Sequence, residues 1–500
     1  MVHPRVPDGA GIKIDMASGP RRIEETLTEK GGLPDMDLGI SIQGRTLNVT
    51  RELLDRYNIP GPRYTSYPTA PEWSDDFGPA DYAGALERSN DTGAGLSLYI
   101  HIPFCERLCL FCGCNVVINR NHDIAIPYLG ALESEISMVA DRLDRSRPVT
   151  QFHLGGGTPT YLAPAQLEEL FLFVKRRFAF APDAEIGVEV DPGVTSGEHI
   201  RMLRSLGFNR ISIGIQDFNP VVQQTVRRVQ PYESTREFFA ECRLRGYESV
   251  NIDLIYGLPR QTAESFIGTV DQVIGLGPDR VAMFSYAHVP WLKKQQGALA
   301  RLLPSGMEKF QIFRAGMERF TAAGYVYIGM DHFARPDDEL CAAQRDRTLH
   351  RNFQGYTTKA GADLLGFGVS SISGVGRTYA QNNRDLKGYY AAVEQNRLPV
   401  MRGITLSDDD LLRRSVIGRL LCHCTIHKRE IGEEFSICFE EYFAEELERL
   451  KALEADGLVE IKTDAIDVTM LGRIFIRNIG MVFDRYLRRQ DAKPVFSKTL

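Results

Sequence analysis

The chain has 500 residues, of which 43% are hydrophobic and 25% are charged, and its formal net charge is −6. This length exceeds one ordinary domain, and the negative charge argues against a nucleic-acid binder that works by bulk electrostatics. No apolar run approaches the roughly 18 residues that a membrane span needs. The amino terminus lacks the apolar core of a secretory signal, so we expect a cytosolic protein.

The first 94 residues divide into a tail and an extension. Residues 1–48 carry Gly, Pro and scattered charges without sustained periodicity, which predicts a poorly ordered tail. Residues 49–94 begin with a short helical pattern, and "GPRYTSYPTAPEW" then reads as an extended segment fixed by its prolines. A cation and two tyrosines in this segment (Arg63, Tyr64 and Tyr67) are unusual residues for a linker.

A regular strand–helix alternation begins near residue 95. Six β-rich runs alternate with amphipathic helical stretches: "LSLYIHIPF", "VTQFHLGGG", "EIGVEVDP", "RISIGIQD", "VNIDLIYGLP" and "RVAMFSYAHV". This order predicts parallel βα units, either as an open sheet or as a partial barrel. Ligands of such folds bind beyond the carboxyl ends of the strands, where this sequence places a series of polar residues. We therefore expect a catalytic domain over residues 95–407, with its barrel core at about 95–330.

After about residue 408 the pattern becomes mostly helical. "GLVEIKTDAIDVT" interrupts the helices and predicts a small hairpin, which gives residues 408–500 a winged-helix-like character. The unit has no concentrated basic face. We therefore interpret it as a packing cap on the catalytic domain in preference to a DNA-binding module.

Four cysteines in "HIPFCERLCLFCGCN" follow the first strand with the spacing C-x3-C-x2-C-x-C. In a reducing cytosol such a cluster indicates metal binding or catalysis. Structural zinc generally uses two separated pairs, and ferredoxin-type clusters use four thiolates in other spacings. Cys105, Cys109 and Cys112 could hold three irons of a cubane and leave the fourth iron open for a ligand.

The C-x3-C-x2-C run resembles the signature of the radical S-adenosylmethionine (SAM) superfamily. Phe111 before the third cysteine and the glycine run Gly155–Gly157 agree with it. The resemblance implies an α/β fold, a partial (β/α)6 TIM-like barrel of the radical SAM type with an N-terminal extension and a C-terminal mostly helical domain. It also implies one [4Fe–4S] cluster on Cys105, Cys109 and Cys112, with SAM on the fourth iron.

Six longer motifs narrow the resemblance. In order they are "YIHIPFC…CGCN", "HLGGGTPTYL", "GFNRISIGIQDFN", "NIDLIYGLPRQT", "GMDHFARPDDEL" and "HRNFQGYTT". From about residue 50 onward the chain resembles the oxygen-independent coproporphyrinogen III oxidase (coproporphyrinogen dehydrogenase) family of haem biosynthesis. The implied reaction converts the ring A and B propionates of coproporphyrinogen III to vinyls by a 5′-deoxyadenosyl radical and gives protoporphyrinogen IX. The alternatives are a radical SAM haem chaperone, which Cys114 and the last two motifs disfavour, and another haem-modifying radical SAM enzyme.

The resemblance implies two SAM molecules in the site. Four residues would contact the first molecule: Tyr99, Gly156, Glu189 and, against the adenine, Ile372. Seven would line the pocket of the second: Phe111, Gly157, Thr158, Gln216, Arg228, Asp253 and Ala287.

Three further residues are catalytic candidates. By resemblance, Cys114 is needed for activity without ligating the cluster; the alternative is a spare buried thiol. Arg63 is a candidate cation for the substrate's propionates, or else it pairs with a surface acid. His332 is catalytic or a satisfied core histidine. The implied partners are coproporphyrinogen III and a low-potential electron donor such as flavodoxin or ferredoxin, and we expect a monomer that binds neither nucleic acid nor membrane.

Overall fold

The computed structural model of the chain describes residues 39–42, 44–487 and 496–499. Twelve strands form one central sheet in the spatial order β7-β8-β6-β5-β4-β3-β2-β1-β9-β10-β11-β12. In chain order they are β1 (Leu96–Ile102), β2 (Val149–Gly156), β3 (Phe180–Val190), β4 (Arg210–Gln216), β5 (Ser249–Tyr256), β6 (Arg280–Ser285), β7 (Val326–Gly329), β8 (His332–Ala334), β9 (Asp363–Phe367), β10 (Ile372–Val375), β11 (Thr378–Asn382) and β12 (Val400–Thr405).

Strands β1 to β6 are the six predicted β-rich runs, and each lies parallel to its neighbours. In β4 and β5 apolar residues alternate with polar ones, because one face packs against helices and the other faces the barrel interior. Strand β9 adds a seventh parallel strand beside β1, and antiparallel strands extend both edges. The predicted partial barrel is confirmed: the sheet stays open, with β7 and β12 as its outer strands.

Helices connect and cover these strands. Up to β12 they are α1 (Arg51–Tyr57), α2 (Pro79–Ser89), α3 (Ala125–Ala140), α4 (Pro164–Arg177), α5 (Gly197–Leu206), α6 (Pro220–Thr225), α7 (Tyr232–Leu244), α8 (Ala263–Leu276), α9 (Gly306–Ala322), α10 (Glu339–Arg345) and α11 (Leu386–Glu394). Their ends follow local chemistry. The hydroxyl of Thr262 caps α8 by accepting from the amide of Ser265, and Gly277 ends it in the left-handed conformation.

Part of the predicted N-terminal tail is ordered. Ile40–Ile42 and Arg45–Leu47 form a hairpin in which Ile40 and Ile42 are completely buried. The amide of Ser41 donates to Glu318 of α9, so the hairpin is attached to that helix. The tail prediction is therefore wrong for these residues, because two alternating isoleucines bury one face of the hairpin. The rest of the predicted tail, residues 1–38, lies outside the described residues.

After β12 come α12 (Asp408–His423), α13 (Lys428–Phe435), α14 (Phe439–Tyr442), α15 (Ala444–Ala455), α16 (Met470–Ile474) and α17 (Ile476–Val482). Strands Thr425–His427, Val459–Ile461 and Ala465–Val468 form a small sheet that includes the predicted hairpin. Within the described residues, none of the helices has both the length and the apolar character required to cross a membrane.

Two distant segments of the chain meet on α17. The backbone of residues 497–499 pairs with that of residues 59–61. Arg477 of α17 donates to carbonyl oxygens of both segments, at Gly61 and Pro62 on one side and at Lys498 and Thr499 on the other. The segment that leads to Arg63 is thereby fixed.

Candidate active site

A cavity of about 410 Å³ opens at the carboxyl ends of the parallel strands and continues into the barrel. The four clustered cysteines line its outer part. Its inner part reaches Glu185 in the middle of β3, and Arg210 and Arg280 at the first positions of β4 and β6. The cysteine loop and the barrel interior therefore share one continuous space.

The cysteine loop is held from outside by side chains that bond its backbone. Gln295 and Gln296 donate to the carbonyl oxygens of Cys112 and Phe111 at 3.0 and 2.8 Å. The amide of Leu110 donates to the carbonyl of Val226 at 3.0 Å. These bonds fix the loop without using its thiols, which remain available for another ligand.

The three thiols of the C-x3-C-x2-C run all line the cavity, and Arg228 Nη1 lies 3.8 Å from Cys109 Sγ. Burial raises the pKa of Cys105 to about 11, whereas contact with Cys114 lowers the pKa of Cys112 to about 6. In the part of the chain that the structure describes, no three His, Cys, Asp or Glu side chains converge so that they could hold one metal ion. A [4Fe–4S] cluster does not require such convergence, because each thiolate binds a different iron.

The end of β2 brings backbone close to this loop. A Cβ at Gly156, where φ is +115°, would stand 2.7 Å from the His101 ring, and one at Gly157 would stand 2.8 Å from the carbonyl of Pro103. Only glycine fits these two positions. Beside them, Thr158 Oγ1 lies 3.5 Å from Cys105 Sγ. Both glycines also line the cavity, so backbone borders the space beside the cysteines.

Glu189 ends β3 within this space. Its carboxylate accepts from the amide of Gly156 and lies 3.2 Å from His153 Nε2. Burial disfavours the charged form, but the hydrogen bond and charge of His153 and the Gly156 amide outweigh it, so the pKa of Glu189 is lowered. The site therefore holds an ionised carboxylate beside exposed backbone.

Asp253 lies in the middle of β5 and lines the cavity. It accepts from Ser212 Oγ at 3.0 Å and from Asn251 Nδ2 at 2.7 Å. Burial, helped by the charge of Glu189, raises the pKa of Asp253 to about 6. The side chain points inward because β5 alternates between the interior and the surrounding helices.

Several predicted residues share the cavity, and others surround it. The former are Phe111, Gln216 (at the end of β4, with φ +71°), Arg228, Cys114 and His332. Tyr99 stands behind them, with its hydroxyl 3.1 Å from His101 Nδ1 and its ring stacked on His153. Ile372 begins β10 and packs against a cluster containing Trp73 and Tyr379, and Ala287 follows β6.

Arg63 reaches the end of β6. It donates to Asp331 at 2.8 Å and to the carbonyl of Ser285 at 3.1 Å, and its guanidinium lies 5.9 Å from the Phe284 ring. Asp331 is only 7% exposed, so the partner is not the surface acid of the alternative interpretation.

His332 opens β8 between the rings of Phe284 and Tyr356. Its Nδ1 is buried and has no hydrogen-bond partner among the described residues. Burial and the charge of Arg351 lower the pKa of His332 to about 3, so the ring is neutral at physiological pH. It is therefore not a satisfied core histidine.

Sequence reasoning did not select several cavity residues. Gln354 and Tyr356 belong to the "HRNFQGYTT" hairpin (His350–Asn352 and Gly355–Thr357). The presence of this motif could have indicated them as site residues. Arg107 and Asp191 also line the cavity. Arg107 occupies a spacer position between two cysteines, and only its contacts distinguish it from a surface arginine.

Comparison with known proteins places this geometry in a family. Residues 99–273 match the model of the radical SAM superfamily. The oxygen-independent coproporphyrinogen III oxidase of Synechocystis is 46% identical over 460 residues, which cover 91% of this chain and 99% of the relative. The enzyme of that name from Escherichia coli is 48% identical over 90% of this chain and 98% of its own length.

The chain belongs to the oxygen-independent coproporphyrinogen III oxidase family. The solved structure of the Escherichia coli member, described as a radical SAM enzyme, superimposes with a TM-score of 0.82 and covers 85% of this chain and 97% of that one. The fold is thus the radical SAM fold of this family.

Membership in the radical SAM superfamily implies a [4Fe–4S] cluster and SAM. The residues present fit both groups. Three thiols on one loop line one cavity, and bare backbone at Gly156 and Gly157 with the ionised Glu189 provides acceptors and space for an amino-acid ligand.

Proposed function

We propose that this chain is an oxygen-independent coproporphyrinogen dehydrogenase that converts the ring A and B propionates of coproporphyrinogen III to vinyl groups, giving protoporphyrinogen IX. The observation that carries the proposal is the single cavity that joins the cysteine loop to the barrel interior, in a chain 46% and 48% identical to two oxidases of this family. A cofactor at the loop can then act on a substrate held inside the barrel.

Cys105, Cys109 and Cys112 would hold the cluster, which would supply the electron for reductive cleavage of SAM to methionine and a 5′-deoxyadenosyl radical. A propionate β carbon would give up a hydrogen atom to that radical, and loss of carbon dioxide, with one electron passing to an external acceptor, would leave the vinyl group. The chain's own part is to hold the ligands and to exclude water and oxygen.

The first SAM molecule would lie at the end of β2. Glu189 is suited to accept hydrogen bonds from the methionyl ammonium because it is ionised and already oriented by His153 and Gly156. Tyr99 supports His101 and His153 from behind, and Ile372 would contact the adenine.

A second SAM molecule would occupy the adjoining part of the cavity. Arg228 offers a cation near the cysteine loop, and Asp253 offers a carboxylate deeper inside. The remaining residues proposed around this molecule are Phe111, Gly157, Thr158, Gln216 and Ala287.

Three residues are proposed to act on the substrate. Arg63 would supply positive charge for a propionate at the end of β6. His332, neutral and with an unpartnered Nδ1, would bond the tetrapyrrole without adding charge. Cys114, exposed in the cavity and additional to the three ligands, would serve turnover without holding the cluster.

The role of Arg63 has a direct test. We expect Arg63→Ala to weaken apparent substrate affinity about tenfold, since it removes a charge-assisted hydrogen bond. An unchanged apparent affinity in steady-state assays would exclude the role. We further propose that the chain acts as a monomer and receives electrons from a low-potential donor such as flavodoxin or ferredoxin.

The experiment that tests the function is anaerobic. The protein is reconstituted with iron and sulfide and given SAM and a low-potential reductant, with and without coproporphyrinogen III. We expect substrate-dependent 5′-deoxyadenosine and a tetrapyrrole that has lost two carbon dioxides, both followed by mass spectrometry. Reductive cleavage of SAM with the porphyrinogen unchanged would contradict the proposal and favour a haem chaperone or a haem-modifying enzyme.

A further inference from the structure

Arg107 lies between Cys105 and Cys109 and lines the cavity. Its side chain is 40% exposed overall, but its Nε and Nη2 atoms are buried and have no hydrogen-bond partner among the described residues. These two atoms form the lateral edge of the guanidinium. That edge can donate two parallel hydrogen bonds to the two oxygens of a carboxylate.

The nearby carboxylate of Asp191 does not satisfy this edge. Asp191 Oδ1 accepts from the amide of Gly193 at 2.8 Å, and Oδ2 lies 3.1 Å from Arg228 Nη1. The distance from Oδ2 to Arg107 Nη2 is 3.6 Å, which is too long for a hydrogen bond. Two guanidiniums thus share one carboxylate, and Arg228 Nε is also buried without a partner. The carboxylate of Asp191 therefore leaves N–H groups of both arginines without an acceptor.

The backbone next to Asp191 makes room for Arg107. A Cβ on Gly193 would stand 2.8 Å from Arg107 Nη2. A larger residue at this position would displace the guanidinium from the cavity wall. Gly193, in the loop that follows β3, therefore lets the guanidinium of Arg107 pack against backbone.

We propose that Arg107 binds the carboxylate of a cavity ligand through Nε and Nη2. The inference rests on the proposed function, because that function supplies the ligands. Two of them carry the required chemistry: the methionyl carboxylate of a SAM molecule and the propionates of coproporphyrinogen III. Either carboxylate would satisfy the buried N–H groups of Arg107.

The test uses the full-length, cluster-loaded protein and two variants, Arg107→Gln and Arg107→Lys. The first removes the charge, and the second keeps a charge but loses the planar fork. Arg120→Gln is the matched control, because Arg120 is an exposed arginine after the same loop and does not line the cavity. Equilibrium dialysis without reductant measures the binding of SAM and, separately, of coproporphyrin III as a stable tetracarboxylate probe. Iron content and thermal unfolding are measured for each variant.

We expect Arg107→Gln to weaken the binding of one of the two ligands by about tenfold to a hundredfold. Arg107→Lys should weaken the binding of the same ligand by a smaller factor. Weaker SAM binding would identify the methionyl carboxylate as the group that Arg107 binds. Weaker coproporphyrin binding would identify a propionate. Affinities of both variants within twofold of the control would overturn the proposal. Loss of iron from both variants would also overturn it, because Arg107 would then act only on the loop.

The wild-type protein separates this result from the function itself. If wild type fails to convert coproporphyrinogen III, the proposed function is wrong whatever the variants do. If wild type converts it and the Arg107 variants bind and turn over normally, only the inference about Arg107 is wrong.

Discussion

The mouth of the barrel differs sharply from a buried polar network on α3. There, Glu135 is only 2% exposed and both of its oxygens are used. One accepts from Asn382 Nδ2 at 2.6 Å, and the other accepts from the amide of Gly368 at 2.8 Å and the hydroxyl of Tyr389 at 2.6 Å. These bonds join α3 to α11, to the end of β11 and to the residue that follows β9.

At the mouth, by contrast, polar groups are buried without partners. Arg107 and Arg228 keep N–H groups that no described residue accepts, and His332 keeps an unused ring nitrogen. An unsatisfied buried polar group costs about 1–3 kcal/mol. The comparison teaches that the satisfied groups around Glu135 stabilise this fold, whereas the unsatisfied groups of residues that line the cavity could take a ligand as their partner.

The largest effect should come from a cluster ligand. We expect Cys109→Ser to lose both the cluster and all turnover, because the most buried of the three thiols is replaced by a poorer iron ligand. Iron and sulfide analysis and 5′-deoxyadenosine formation measure this. Cys438→Ser is the control, since Cys438 is exposed and outside the cavity. A Cys109→Ser protein with normal iron content would contradict the assignment.

A substitution of Cys114, the fourth clustered cysteine, should distinguish a role in turnover from a role in holding the cluster. We expect Cys114→Ser to lower turnover by roughly 100-fold while iron content stays normal, because Cys114 is additional to the three ligands and its thiol faces the cavity. Parallel iron analysis and product analysis test it. Loss of iron would make Cys114 a ligand, and unchanged turnover would make it a spare thiol.

Removal of the buried hydrogen bonds around Glu135 should lower the stability of the fold. We expect Glu135→Ala to lower the free energy of unfolding by about 3 kcal/mol, because three buried donors lose their acceptor. Chemical denaturation measures the change. Glu133→Ala, a partly exposed glutamate on the same helix, is the control. Equal effects of both substitutions would mean that the network contributes nothing specific.

The same carboxyl should make stability depend on pH. Burial raises the pKa of Glu135 from 4.5 to about 7, so between these values the folded protein holds a proton that the unfolded chain releases. Its contribution to stability is therefore full below about pH 4.5 and falls as pH rises through 7, by about 3 kcal/mol in total. We expect Glu135→Gln to remove this dependence. Denaturation midpoints of the two proteins that run parallel from about pH 5 to about pH 8 would refute it.

The smallest effect should come from an ion pair that lies outside both the mouth of the barrel and the Glu135 network. Arg429 and Glu433 lie 2.7 Å apart on α13, but their side chains are 88% and 65% exposed. Solvent and salt screen such a pair. We expect Glu433→Gln to leave the denaturation curve unchanged within error. A shift as large as that of Glu135→Ala would remove the distinction between satisfied burial and surface pairing.

The sequence predicted what local patterns encode. The six parallel strands and the cysteine loop follow from apolar runs and from spacing, and the glycines beside Glu189 follow from a strand end. Strand β9 was not predicted, because its partner β1 lies more than 250 residues earlier in the chain and nothing local specifies that pairing. The unmatched edge of Arg107 could not be predicted either, since it depends on the distance to Asp191.

Two further differences between prediction and structure also arise where local sequence patterns do not specify the structure. The depth of Asp253 in the cavity was not predicted, because it depends on how far β5 continues beyond this residue, to Tyr256. The predicted tail contains a buried hairpin because Ile40 and Ile42 are only two positions apart, too short a pattern to recognise in a segment rich in glycine.

The attachment of residues 497–499 to residues 59–61 has a consequence for biosynthesis. A ribosome makes the chain from the amino terminus, so residues 59–63 leave it long before their partners exist. The hydrogen bond from Arg477 to Gly61 spans 416 residues. The barrel strands can pair during translation, but the segment carrying Arg63 acquires its full set of contacts only when residues 477–499 have been made. Arg63 therefore reaches its place at the end of β6 only after the parallel strands around the cavity have been made.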